Sequence, residues 1–237
     1  AGKCKPPAQA LNISTRLRVL TGDNVLIGGF IITGTDPKKV IVRGIGPSLS
    51  PAVSGVLADP VLELHEPDGT IVTNDNWKDS QEAEITATGI PPTDDLESAI
   101  VETLAPGAYT AIVSGKNGGT GVGLVDAYDL DQAANSQLAN ISTRGFVDTG
   151  DNVMIGGFIL GGGGGSSTVI VRGIGPSLAN ATPPVPDALA DPTLDLHDST
   201  GTIIASNHDW RHAPDNQPVM HGGRDPPHAQ GPPHPPP

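Results

Sequence analysis

Oxygen-bearing side chains cluster in one short segment, and calcium is the ligand whose chemistry they fit. Asn74, Asp75, Asn76 and Asp79 lie within six residues of one another. Calcium takes six to eight oxygen ligands at flexible sites. The alternative is that Asn and Asp stand here because they form turns by hydrogen bonding to their own backbone. Both interpretations remain open, and the sequence suggests no other cofactor.

The remaining metal-binding and redox side chains are scattered. Cys4 is the only cysteine, so an intrachain disulfide is excluded and an intermolecular disulfide is the alternative. Imidazole nitrogens can bind zinc, nickel or copper. In this sequence, however, the histidines are spaced too irregularly among prolines to form a rigid site. Five of the seven histidines lie near the end of the chain: His208, His212, His221, His228 and His234.

Catalytic motifs are absent from the sequence. It contains neither Gly-x-Ser-x-Gly nor His-Glu-x-x-His, which are the local signatures of a serine nucleophile and a zinc protease. The Gly-rich run at residues 119–123 is followed by no predicted helix that could hold a phosphate. We therefore expect a protein that is not an enzyme.

Composition predicts an exported all-β protein. The chain carries 31 Gly and 24 Pro, which are poor helix residues but common in turns. Its formal net charge of -13 repels phosphate backbones and argues against nucleic acid as a partner. No apolar run is long enough to span a membrane. The start at Ala1-Gly2-Lys3 suggests removal of a signal peptide, so we expect secretion to the extracellular space or the cell surface.

The positions of these residues depend on a tandem repeat. Asn-Ile-Ser-Thr-Arg occurs at residues 12–16 and 140–144, and Val-Ile-Val-Arg-Gly-Ile-Gly-Pro-Ser-Leu at 40–49 and 169–178. Alternating apolar residues and turn signals every eight to twelve residues predict about eight short strands in the first copy and five in the second. Residues 81–131 have no counterpart in the second copy.

The predicted fold is a tandem β-sandwich of jelly-roll or immunoglobulin-like type with an incomplete second repeat. We expect an extended arm at 1–10, a complete repeat at 11–131 (copy one), a linker at 132–137 and a truncated repeat at 138–210 (copy two). A Pro- and His-rich tail at 211–237 lacks the periodicity of a folded segment.

Part of copy one resembles a known domain family. The segment 59–76, with Ala-Pro-Gly-Ala-Tyr-Thr-Ala-Ile-Val-Ser-Gly at 105–115 and the glycines of 118–123, resembles the bacterial pre-peptidase C-terminal domain over residues 59–131. The resemblance implies a jelly-roll sandwich that accompanies secreted enzymes and surface proteins and has no chemistry of its own. The repeated blocks also resemble repeat units of large bacterial extracellular proteins.

The incomplete repeat suggests a function. A sandwich that lacks strands leaves an apolar face and an unpaired sheet edge, which another chain can cover by adding strands. We therefore expect head-to-tail self-assembly into an extracellular filament or surface fibre, with copies of the same chain as partners. The predicted interface is the open core of copy two: Ile141, Val153, Ile155, Phe158, Val169, Val171, Leu194, Leu196 and Ile203.

Two other functions remain open at this point. One is a carbohydrate- or substrate-binding accessory module of a secreted enzyme, which would use Trp77, Trp210, Tyr109 or Tyr128 to stack on its ligand. The other is the stalk of an adhesin, in which the repeats belong to a longer polypeptide.

Overall fold

The computed structural model describes residues 7–209 and is almost entirely β-structure, which confirms the predicted all-β class. The chain divides into two compact units at residues 167/168. In the first unit the elements are β1 (Gln9–Val19), β2 (Leu26–Gly34), β3 (Lys38–Ile45), β4 (Pro60–His65), β5 (Ile71–Asn74), α1 (Glu82–Ala87), β6 (Ser98–Leu104), β7 (Gly107–Gly115), β8 (Gly121–Asp129), β9 (Ser136–Arg144) and β10 (Ile155–Gly161). In the second unit they are β11 (Leu194–His197) and β12 (Ile203–Asn207).

The strands of the first unit form one antiparallel sheet that curls around a core. Their order is β5-β4-β7-β2-β9-β1-β8-β3-β6, and β10 pairs with β1. The two ends of the sheet approach each other where the Ala99 N–H donates to Asn74 Oδ1 at 2.9 Å. Alternation along each strand directs every second side chain inward, and Leu17, Leu62 and Val113 are almost fully buried in the shared core. The first unit is therefore an antiparallel sheet that nearly closes into a barrel around one core.

A short helix, α1, lies in the segment that is unique to copy one. The sequence pattern around Glu82 was not interpreted as helical, although acidic residues in a first turn favour a helix N-terminus. Ile85 on this helix is fully buried and packs with Trp77 and with β3 and β6 side chains in a second, smaller apolar cluster. The helix thus covers the outer face of the sheet.

The second unit contains a hairpin, in which β11 and β12 pair antiparallel from Leu194 opposite Asn207. The repeated block at 169–178 predicts a strand like the one at 40–45, but residues 168–174 have no regular structure, and Val169 and Ile170 are 42% and 56% exposed. In copy one the equivalent strand is β3, which lies between β6 and β8. Both of those strands belong to the segment without a counterpart in copy two, so the repeated sequence has no neighbour to pair with.

The observed boundaries differ from the expected ones. Residues 138–144 and 155–161, expected in a separate truncated repeat, lie in the sheet of the first unit because β9 and β10 pair with strands of copy one. Residues 136–137, expected in the linker, begin β9. Gln9 and Ala10, expected in the extended arm, begin β1. The rest of that arm up to residue 6, the tail at 211–237 and Trp210 lie outside the described residues.

Candidate assembly site

The first two strands of copy two pair with the first two strands of copy one in a reciprocal pattern. β9 pairs with β2, placing Ile141 opposite Phe30, and β10 pairs with β1, placing Phe158 opposite Ile13. Ile13 and Ile141 are repeat equivalents, as are Phe30 and Phe158. Each copy therefore gives its first strand to the second strand of the other copy, in the same register.

Contacts between equivalent residues confirm that this pairing is pseudo-twofold symmetric. The Thr15 and Thr143 hydroxyls lie 2.7 Å apart, and Ala10 pairs with Leu138. In each pair the two residues occupy the same position of their copies. Two copies of one residue can only meet in this way at a twofold axis, so a local axis passes between β1 and β9.

The sequence departs from the repeat where this axis brings the strands closest. Leu17 of β1 corresponds to Gly145, which follows β9. A Cβ on Gly145 would meet Leu17 Cδ2 at 2.5 Å, closer than carbon atoms can approach. Two leucines cannot occupy equivalent positions beside the axis, and the pair Leu17 and Gly145 resolves the clash.

Side chains of copy two complete the core of copy one. Leu138 on β9 is 2% exposed and belongs to the main apolar cluster, against which Ile141 and Met154 also pack. Burying a leucine contributes about 1.5–3 kcal/mol. The two copies are therefore joined by packing as well as by backbone hydrogen bonds.

The connection that carries the chain into β9 is held in place by several contacts. Asn135 accepts a hydrogen bond from the Thr35 N–H at 2.9 Å and donates its own N–H to Asp36 Oδ2 at 3.0 Å. At Gly34, where φ is +120°, a Cβ would lie 2.2 Å from the Asn135 carbonyl oxygen. Residues 130–135, which we call the hinge, therefore fit closely against the turn after β2.

The predicted interface residues of copy two are less buried than their equivalents in copy one. Phe158 and Val169 are 37% and 42% exposed, whereas Phe30 and Val40 are buried. Val153 and Ile155 are also exposed, and Ile141, Val171, Leu194 and Leu196 are half-buried. Ile203 is exposed to the same degree as Ile71, its equivalent, so its exposure does not reflect missing strands. Their role as an interface stays a prediction.

The Arg-Gly-Ile-Gly-Pro-Ser-Leu block of copy one builds structural contacts. Arg43 donates to both carboxylate oxygens of Asp126, at 2.9 and 2.6 Å, and lies over the Tyr128 ring. Burial disfavours the charged form of Arg43, but the hydrogen bonds and negative charge of Asp126 outweigh this effect. The pKa of Arg43 is therefore raised. Burial raises the pKa of Asp126. These groups line a surface cleft of about 270 Å³, and their mutual bonding gives them a structural role there.

The same block binds a buried carboxylate. Glu97 Oε1 accepts hydrogen bonds from the Gly46 N–H, the Ser48 N–H and the Ser48 hydroxyl, at 3.0, 2.9 and 2.6 Å. Copy two keeps the equivalents of the donors, Gly175 and Ser177. Glu97, Asp126 and Tyr128 have no equivalents there because they lie in the segment unique to copy one.

We expect Glu97→Ala to lower the free energy of unfolding by about 2–3 kcal/mol, because it leaves buried donors without an acceptor. Glu97→Gln should cost less, since its amide oxygen can still accept. The measurement is urea unfolding followed by circular dichroism. Glu102→Ala, a change on the surface of β6, is the control and should stay within about 0.5 kcal/mol. Equal effects at both positions would show that the block does not depend on this carboxylate.

The residues of the predicted calcium site mainly bond to one another and to the protein. Asn74 Oδ1 is taken by the Ala99 N–H, and Asn76 Nδ2 donates to Asp79 Oδ2 at 3.1 Å. Asp75 Oδ2 lies 2.6 Å from Lys116 Nζ. Across residues 7–209, no group of three or more His, Cys, Asp or Glu is placed to hold a metal. Asp75 Oδ1 and Asn76 Oδ1 are buried without a hydrogen-bond partner, as is Asp59 Oδ1. Calcium binding stays a prediction.

The aromatic side chains proposed to stack on a sugar are used inside the protein. Trp77 is 7% exposed and its indole N–H donates to the Asp94 carbonyl at 3.1 Å. Tyr109 is buried, stacks on Phe30 and donates its hydroxyl to a backbone carbonyl. Tyr128 is half-buried beneath Arg43. None of these three rings offers an open face for a ligand.

The remaining candidates concern the ends of the chain and the membrane. Cys4 and the histidines at 212, 221, 228 and 234 lie outside the described residues. Within the part of the chain that is described, no helix has the length and hydrophobicity needed to cross a bilayer.

No known protein family matches this sequence, and no curated protein matches it significantly. The resemblance to the pre-peptidase C-terminal domain therefore stays a prediction.

Proposed function

We propose that this chain is a secreted, non-catalytic structural protein that assembles head to tail by strand complementation into an extracellular filament or surface fibre. One observation carries the proposal: β9 and β10 of copy two complete the sheet edges of copy one in the register set by the repeat. Strands that complete a neighbouring repeat within one chain can do the same for another chain.

The pairing differs from the initial hypothesis. Copy two is expected to accept strands from another chain, but here the pairing is reciprocal: β10 pairs with β1 and β9 pairs with β2, so each copy both gives and receives a strand. When β9 and β10 of one molecule fill copy one of the next, every sheet contact seen within the chain is retained. Only the path of the hinge changes. Each molecule then pairs its copy two with copy one of the next molecule and leaves its own copy one for a third, so the series can grow into a fibre.

The length of the hinge determines whether the closed monomer or the fibre forms. A short linker gives an effective local concentration in the millimolar range. In dilute solution, β9 and β10 therefore pair with copy one of their own molecule. A hinge too short to fold back removes that competition. Pairing with the next molecule then becomes the only way to bury Leu138.

Deletion of residues 132–134 should therefore convert monomers into filaments at micromolar concentration. Negative-stain microscopy and sedimentation velocity measure the change, with the wild type as reference. A matched control inserts Gly-Ser-Gly after Ala133 and should remain monomeric at the same concentration. A folded, monodisperse monomer after the deletion would contradict the proposal.

The two alternative functions, a sugar-binding module and an adhesin stalk, require different structural features. A sugar-binding module requires an exposed aromatic face, and the described tryptophan and tyrosines do not support it. An adhesin stalk would use the same pairing between successive copies of one longer polypeptide. Intact-mass measurement of the native protein distinguishes that stalk from a filament of separate chains.

A further inference from the structure

Strand β10 is covered on one edge only. Among the described strands it pairs with β1 alone, whereas β2, its equivalent in copy one, pairs with β7 on one edge and β9 on the other. The edge of β10 that corresponds to the β7-covered edge of β2 therefore pairs with no strand of residues 7–209. It presents a row of backbone N–H and C=O groups that can pair with another strand.

This edge lacks two of the usual protections against pairing, charged residues and proline. Natural edge strands carry charged residues, proline or bulges that prevent another strand from joining them. Residues 155–161 read Ile-Gly-Gly-Phe-Ile-Leu-Gly and include no charge and no proline. Ile155, Phe158, Ile159 and Leu160 are 37–52% exposed. An apolar strand of this length favours association.

Counting the available strands identifies the occupant. The strand that covers β2 is β7, which is held between β2 and β4, and residues 7–209 contain no second strand equivalent to β7. If β7 paired with the β10 edge of another molecule, β2 of its own molecule would lose its partner. The number of paired strand edges would not increase. The β10 edge of a second molecule is already free, so pairing with it needs no rearrangement of either molecule.

We propose that β10 is a self-association edge, at which two copies of this chain join their β10 strands antiparallel about a twofold axis. The β8-β1-β10 layer of one copy then continues into that of its partner. No like charges oppose each other in this pair. The contact is isologous and closes as a dimer, so it goes beyond head-to-tail assembly and would join two filaments side by side.

Matched lysine substitutions test the edge. Ile159→Lys places a charge on the free strand, and Ile31→Lys makes the same change at the equivalent position of β2, whose edges are both covered. In a sedimentation-velocity concentration series, Ile159→Lys should weaken dimerisation at least about tenfold, and Ile31→Lys should leave it unchanged. A monomeric wild type at every concentration, or equal effects of the two variants, would overturn the proposal.

Disulfide trapping tests the geometry independently. In a Cys4→Ser background, single cysteines are placed in turn at each position from 155 to 161. An antiparallel pair about a twofold axis brings one central residue opposite itself, with Cα atoms about 4.5–5.5 Å apart, which is within disulfide range. Oxidation should give a covalent dimer that peaks at one central position, with no such product from a cysteine at position 31. Uniform or absent crosslinking along β10 would contradict the twofold pair.

Discussion

Lys38→Met is expected to lower the free energy of unfolding by about 3–5 kcal/mol, because it leaves a carboxylate buried without its counterion. The Lys38 and Asp129 side chains are both 0% exposed, and Lys38 Nζ lies 3.0 Å from Asp129 Oδ2. Lys38 also donates to the Asp131 carbonyl at the start of the hinge. Methionine preserves the length of the side chain but supplies no charge and no donor. Urea unfolding followed by circular dichroism gives the difference.

The neighbouring residue supplies a matched control. Lys39 pairs with Glu84 at the surface, where the two side chains are 43% and 45% exposed, and Lys39→Met should cost less than about 1 kcal/mol. The double variant Lys38→Met with Asp129→Asn removes both charges. The amide oxygen introduced by Asp129→Asn can still accept a hydrogen bond from the Asp131 N–H, as Asp129 Oδ1 does at 2.8 Å. We expect it to regain most of the lost stability, and similar losses at positions 38 and 39 would refute this account.

The strands of copy one could be predicted from local pattern alone. Alternation and turn residues predict about eight short strands in this copy, and the structure has eight, β1–β8. The hairpin of β4 and β5 follows from the Pro-Asp-Gly turn at residues 67–69. These strands have neighbours in the same copy, so local preference and tertiary pairing agree.

In copy two, the same local pattern was insufficient. Residues 169–174 repeat the sequence of β3 closely but form no strand, since a strand needs hydrogen-bonding neighbours and those of β3 come from the unique segment. Conversely, β9 begins at Ser136, inside the segment 132–137 that was expected to be a linker. Its first residues are extended because β2 lies beside them.

The reciprocal pairing between the copies was not predicted from the repeat. Identical blocks indicate two similar folds, but they contain no information on which copy supplies a strand's partner. One signal was present in the sequence: the change from Leu17 to Gly145 within otherwise similar strands. The glycine at position 145 leaves room for Leu17, its equivalent in copy one, which lies beside it.

Strand β9 should be essential to the stability of copy one, although it belongs to the other repeat. We expect Leu138→Ala to lower the free energy of unfolding by about 2–5 kcal/mol, because Leu138 is 2% exposed in the main core and its loss leaves a cavity. Leu160→Ala makes the same chemical change on β10, where the side chain is 37% exposed, and should cost about 1 kcal/mol or less. Thermal and urea unfolding of both variants, at concentrations where each is monomeric, measure the difference. If copy one folded independently of copy two, its unfolding would be unaffected by Leu138→Ala. A single cooperative transition shifted by this substitution instead requires that β9 and the strands of copy one unfold together, as expected of strands that share one core.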